Sequence, residues 1–168
     1  VSTYYNKEGK PSGQWVKSAI DDQARFELIK SAFEAMQDDL PRLNKIEPPK
    51  LTQAHLLNLY TITDYHLGML AWQKEGGADW DIKIAEKTLI DCFSFMLSAS
   101  PNAQAGFICQ LGDFLHSDGL LPITPTSHHV LDQDGRFSKI VQSAIKLLRS
   151  VVDMALIKHE QVIVLMAE

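Results

Sequence analysis

The chain has 168 residues, 45% of them apolar and 22% charged, with a formal net charge of −5. That is about one domain of ordinary globular composition, long enough to bury a core. It excludes a membrane span, which needs roughly 18 or more uninterrupted apolar residues, and it argues against a surface that grips duplex phosphates, because Lys and Arg are scattered rather than gathered on one face.

In chain order, Thr3-Tyr4-Tyr5 and Gln14-Trp15-Val16 are strand-like pieces separated by a polar stretch ending in Pro11, which predicts a hairpin or an extended linker. Ser18 and Asp21 have capping-box-like spacing. Leu28, Ile29, Ala32, Phe33, Met36 and Leu40 then recur at three-to-four spacing, predicting a helix over 21–40 that Pro41 stops. Residues 41–50, with Pro48-Pro49, read as a linker, giving an amino-terminal piece over 1–50 and a domain over 51–168.

From residue 54 the pattern alternates strand and helix. A strand is expected over 54–62, then a loop with Gly76-Gly77 leading to Asp79 as N-cap. A helix over 80–98 places Ile82, Ala85, Leu89, Cys92 or Phe93, and Met96 on one face. Pro101-Asn102 turns the chain into a second strand over 104–111. A long loop, 113–132, carries Pro122, Pro125 and His128-His129. Asp132 or Asp134 is expected to cap a helix over 134–158, with Phe137, Val141, Ala144, Leu148, Val151 or Val152, and Ala155 as its apolar stripe. Gln161 to Ala167 is a third strand. The fold class is α/β, with parallel strands joined by right-handed crossovers.

Two stretches carry the chemistry. The first strand leads into Thr63-Asp64-Tyr65-His66-Leu67-Gly68, and the second into Gly112-Asp113-Phe114-Leu115-His116. Open α/β sheets place ligands beyond the carboxyl ends of their strands. Residues i and i+2 leaving a strand project to the same side, so Asp64 and His66 can converge on one ion. Gly112 allows a sharp turn that brings Asp113 across to them. Carboxylate and imidazole suit a hard-to-borderline divalent ion.

These motifs resemble those of the calcineurin-like metallophosphoesterase superfamily, whose first motif is D-x-H after one strand and whose second is G-D after the next. The D-x-H-L-G and G-D-x-x-H forms are most similar to its DNA-processing nuclease branch and related phage or prophage enzymes. The resemblance covers residues 54–168 and implies the parallel βαβαβ half of a two-sheet sandwich. It implies that Asp64 and His66 hold a first ion and Asp113 bridges to a second, with His116 beside the site. Manganese is the expected metal, with iron, zinc or magnesium as alternatives. In the intact enzyme, metal-activated water would hydrolyse a phosphate ester, with nucleic acid a candidate substrate through regions beyond this chain.

The family's G-N-H-[DE] motif would begin where the chain ends at Glu168. The first residue is Val1 and the first Met is Met36, so a natural start is not expected at Val1. A fragment is therefore expected, inactive by itself and holding one ion or none. Its uncovered sheet face predicts a homodimer, a swapped assembly or a rearranged helix covering that face.

The remaining polar residues read more plainly. His129 (with His128) and Arg136 could touch a substrate phosphate, against the simpler reading of a solvated loop and a first-turn Arg. His55 and His159 read as strand-edge and helix-end residues, His159 well placed near a helix C-terminus. Cys92 and Cys109 read as buried thiols of a cytoplasmic protein. The rival to a hydrolase is a non-catalytic α/β interaction module in which Asp64, His66 and Asp113 are ordinary caps and loop residues.

Overall fold

The structure, a computed structural model, describes residues 2–6, 8, 10–15, 26, 29–30, 33–34, 37, 45–47, 49–124 and 126–167. The chain divides into two compact units, Val1–Leu40 and Pro41–Glu168.

In the first unit, β1 (Ser2–Tyr5) pairs antiparallel with β2 (Pro11–Trp15), Ser2 opposite Trp15. The connection is held by Asn6, whose Oδ1 accepts from the backbone N–H groups of Glu8 (3.0 Å) and Lys10 (2.9 Å). A short polar side chain bonding the backbone ahead of it is the usual chemistry of a tight turn. The first strands thus form a hairpin rather than a linker. Of the expected helix over 21–40, positions 26, 29, 30, 33, 34 and 37 are helical. Ser18, Asp21 and the other positions named for that helix lie outside the described residues, as do Pro48 and Pro125.

In the second unit three strands, β3 (Gln53–Ile62), β4 (Ala103–Leu111) and β5 (Gln161–Ala167), form one parallel sheet in the order β3-β4-β5. A one-turn helix, α1 (Gln73–Gly76), and then α2 (Ile82–Ala99) connect the first two strands; α3 (Phe137–Lys158) precedes the third. The architecture is an open α/β sheet, as expected.

Side-chain alternation assigns the faces. Asn58, Tyr60 and Ile62 of β3 are buried with Ile108 and Gln110 of β4, against the helices. The opposite parity points away from them: Leu57 and Leu59 are 53% and 59% exposed, and Leu111, Ile163 and Leu165 continue that apolar surface across the sheet. A parallel sheet normally has both faces covered. Here one face is packed and one is open.

The packed face is built from two apolar stripes. On α2 the stripe is Ile82, Ala85, Leu89, Phe93 and Leu97. Phe93, not Cys92, takes the shared position, because its ring reaches Tyr60 (centroids 5.2 Å apart). Cys92 is exposed, contrary to expectation, and Cys109 is buried. On α3 the stripe is Ile140, Ala144, Leu147, Val151 and Ala155. The expected Phe137, Val141 and Leu148 flank it half-buried.

Three caps differ from expectation. Asp81, not Asp79, caps α2, its Oδ1 accepting from Ile84 N at 2.7 Å. Asp79 instead accepts from Gln73 N at the start of α1. Asp134 does not cap α3, because the chain turns at Gly135 (φ 94°) before that helix begins. Its Oδ2 accepts from Ile82 N at 3.0 Å, so the carboxylate caps the neighbouring helix α2. Asp132 is an exposed loop residue, and α3 starts without a side-chain cap.

Near the amino ends of β4 and β5, a buried polar cluster fixes the helices to the sheet. His159, 1% exposed, places Nδ1 2.8 Å from the carbonyl of Ala103 and Nε2 2.8 Å from the Tyr60 hydroxyl. A carbonyl only accepts, so Nδ1 carries the proton and Tyr60 donates to Nε2. Tyr60 Oη in turn accepts from Asn58 Nδ2 (3.1 Å) and lies 2.9 Å from Ser100 Oγ. His159 is the C-cap of α3, the helix-end position expected of it, and it is also a buried structural residue.

Urea unfolding of single variants checks the face assignment. Phe93→Ala should cost roughly 3–5 kcal/mol, and Leu59→Ala on the open face less than about 1 kcal/mol. Equal losses would mean that the open face is packed.

Candidate metal centre

Asp64 and Asp113 each sit two residues beyond the end of a strand, β3 and β4 respectively. The pairing of those strands does not stop where they do. His66 N donates to Asp113 O (2.9 Å), Leu67 N to Phe114 O (2.8 Å), and His116 N to Leu67 O (3.0 Å), giving a parallel bridge between Leu67 and Leu115. The two motif loops are therefore joined backbone to backbone. A third segment closes on them, with Leu70 N donating to Asp132 O and Asp134 N to Gly68 O.

Within that frame Asp64, His66 and Asp113 each offer a ligand atom, and these atoms all lie within 4.8 Å of one another. Metal–ligand distances of about 2.1 Å put two ligands of one ion at most about 4.2 Å apart, so a small contraction suffices. The expected trio is brought together.

The backbone there is unusual. Among the described residues four non-glycine positions have positive φ: Asp64 (48°), His66 (49°), Asp113 (46°) and His128 (54°). Three of the four are the candidate ligands. Asp and His tolerate the left-handed region better than most residues, but each such position still costs of order 1 kcal/mol, and such strain gathers at functional sites. At Asp64 the Thr63 hydroxyl also donates to the carboxylate (2.6 Å).

Glycine has two roles. Gly112 (φ 81°) supplies the turn before Asp113, with its carbonyl accepting from buried Gln110 Nε2 (2.7 Å) and its N–H donating to Ala167 O (3.0 Å). A Cβ there would meet nothing within 4 Å, so only the backbone conformation requires glycine. Gly68 (φ 96°) differs: a Cβ would stand 2.5 Å from Ile140 Cδ1, so this glycine lets α3 seat against the first motif loop.

The ion pairs Lys30–Glu34, Lys87–Asp91 and Lys139–Asp134 do not involve Asp64 or Asp113. Two carboxylates held close together repel unless a positive charge joins them. His66 adds a second sign of an open coordination need, because its Nδ1 is buried without a hydrogen-bond partner. The His116 ring meets His66 edge-on, with centroids 5.5 Å apart, and its own Nδ1 is also buried and unpartnered. Burial, and then the neighbouring His66, hold the His116 imidazole below its ordinary pKa, with Asp132 opposing them. His116 therefore stands beside the trio, uncharged, and outside it.

His129 and Arg136 are exposed. The loop carrying His129 is pinned to Thr124, whose hydroxyl accepts from His129 N (2.9 Å). Neither residue belongs to the ligand group. The exposed His55 lies on β3. Sequence reasoning passed over Tyr65 and Trp80, which with Asp64 and His66 line a cavity of about 310 Å³. Tyr65, between two ligands, carried a positional signal; Trp80 carried none.

No protein-family model, no curated protein and no solved structure matches the chain. No described helix is long and apolar enough to cross a membrane.

Two measurements check this frame. Gly68→Ala should lose about 2–4 kcal/mol in urea, from positive φ and the Ile140 clash together, and Gly112→Ala only about 1–2 kcal/mol, from φ alone. The sign of the His116 shift, lowered from 6.5, makes its ring more than half neutral at pH 6.5 in an NMR titration of the metal-free protein.

Proposed function

We propose that this chain carries a divalent-metal centre for the hydrolysis of phosphate esters, with phosphodiesters of nucleic acid the leading candidates. Asp64, His66 and Asp113 are its ligands. The observation that carries the proposal is the convergence of three side chains, from two loops fastened to each other, at three strained backbone positions. Two carboxylates and one imidazole suit manganese, iron, zinc or magnesium.

A divalent ion held there would supply positive charge to a phosphate oxygen and lower the pKa of bound water. The chain's own residues supply the rest. Asp64 and Asp113 set the charge of the site, and the family resemblance gives Asp113 the part of a ligand shared with a second ion. His66 fixes the orientation of the first motif loop through its N–H bond to Asp113 O. His116, neutral beside His66, is available to exchange a proton with a substrate oxygen.

The open apolar sheet face favours a second reading, a non-catalytic α/β module that docks a partner on that face. The two part at the metal. Titration of the chain with Mn²⁺, followed by loss of the free-ion electron paramagnetic resonance signal, should show a saturable site of about one ion. Asp64→Asn and Asp113→Asn should each weaken it at least about tenfold, with Asp91→Asn as an unaffected control. Inorganic phosphate should bind only when Mn²⁺ is present. Manganese uptake at background level, or uptake indifferent to both substitutions, would leave the docking module as the function.

A further inference from the structure

The cavity beside the candidate ligands is walled largely by carbon. About 310 Å³ is near the lower end of the range for small-molecule sites, with room for a ring. Tyr65, Met69, Trp80 and Leu89 form most of the wall, and Asp64 and His66 line it as well. Tyr65 is fixed by stacking on Phe114, with centroids 5.2 Å apart and planes 30° apart. Trp80 is fixed by its backbone, which exchanges hydrogen bonds with Ala71 in both directions at 2.9 Å. The wall keeps its shape without a ligand.

What the two rings present there is apolar. Tyr65 Oη and Trp80 Nε1 are buried away from solvent, so neither polar atom opens into the cavity and only ring carbons reach it. The side chains of Met69 and Leu89 add no strong donor or acceptor. Asp64 carries the one carboxylate of the lining, and no described Lys or Arg joins it. An anion gains nothing in such a space, and a sugar would leave hydroxyls without partners. A neutral ring fits it, because its apolar surface leaves water and the aromatic side chains pack against it by offset or edge contacts.

We propose that this cavity holds a neutral aromatic ring of the phosphate ester, by apolar contact, beside the metal centre. The proposal rests on the metal-centre reading above, because Asp64 and His66 belong both to the ligand trio and to the cavity lining. A ring seated against Tyr65 and Trp80 leaves its phosphate on the side of Asp64 and His66. The substrate class narrows to phosphate esters that carry a ring. A nucleobase qualifies by its face, and the two aromatic side chains read nothing at its edge. Contact with ring faces tolerates any base, so the selection is for a ring over a bare sugar phosphate rather than for one base over another.

Met69 supplies the reporter, since it lines the cavity, and Met154, packed against the core, is an internal control. The metal-free chain, isotope-labelled at its methionine methyl groups, is titrated by NMR with benzyl alcohol and, separately, with ribose 5-phosphate. Benzyl alcohol should shift the Met69 signal saturably through its ring current and leave Met154 in place, and ribose 5-phosphate should move neither. Cys92→Phe and Thr88→Phe each put a larger side chain at an exposed position of the lining, and filling the space should weaken benzyl alcohol binding at least about tenfold while the Met154 signal stays native. With Mn²⁺ bound, calorimetry should give phenyl phosphate about tenfold tighter binding than inorganic phosphate, the gain from partly burying the ring. Absence of a saturable Met69 shift, an equal shift with ribose 5-phosphate, benzyl alcohol affinity unchanged in both variants, or phenyl phosphate binding no tighter than inorganic phosphate would overturn the proposal. The NMR arm contains no metal and is independent of the Mn²⁺ titration: a ring site in a chain that binds no manganese refutes only the metal centre, and a manganese site without a ring site refutes only this inference.

Discussion

The site depends on one constraint, the backbone pairing that runs past the ends of β3 and β4. Parallel strands usually diverge into independent loops at their carboxyl ends. Here the His66–Asp113 and Leu67–Phe114 bonds, both under 3 Å, extend the pairing by several residues. That extension ties the position of Asp113 to the position of His66. Without it, two flexible loops would have to be ordered at the moment of binding, at a cost of roughly 1–2 kcal/mol per residue. With it, the ordering is part of folding, and the helices that stabilise the sheet stabilise the site.

The two ends of the sheet are built on opposite principles. Toward the amino ends of β4 and β5, Asn58, Tyr60, Ser100 and His159 satisfy one another, and Lys158 Nζ adds a bond to the carbonyl of Ser100 (2.6 Å). Gly106 makes room for that cluster, since a Cβ there would stand 2.6 Å from the His159 ring. Such a network fixes one arrangement of helix and strand. At the carboxyl end buried polar atoms go without a partner: Nδ1 of His66 and of His116, Tyr65 Oη and Trp80 Nε1. The cluster at one end anchors the unit, and that stability lets the other end keep groups unsatisfied.

Much of this was legible in residue order, for identifiable reasons. Apolar periodicity located β3, β4, β5 and the two long helices within a few residues, because tertiary packing in an open α/β sheet reinforces local pattern. The grouping of Asp64, His66 and Asp113 was legible because each stood just past a strand end, where open sheets bring loops together. The caps were not. Asp134 has the composition of a cap for α3, yet its carboxylate crosses to α2, and nothing in a one-dimensional pattern distinguishes a cap for the next helix from a cap for a neighbour. His159 was read correctly as a helix-end residue, but its burial was not legible, because its partners Tyr60 and Ala103 lie 99 and 56 residues away in sequence. Trp80 was invisible because its place in the cavity wall is one that only the folded geometry reveals.

The strain at the site argues for something beyond folding. Asp64, His66 and Asp113 each hold a left-handed backbone, and together they cost of order 3 kcal/mol, a large share of the 5–15 kcal/mol that keeps a domain folded. The close carboxylates add repulsion to that cost. No packing gain at these positions offsets it, since both Asp64 and Asp113 lack deep burial and His66 leaves Nδ1 unpaired. A divalent ion bound there, as proposed, would offset the charge of both carboxylates, and binding to the folded state alone would add stability by mass action.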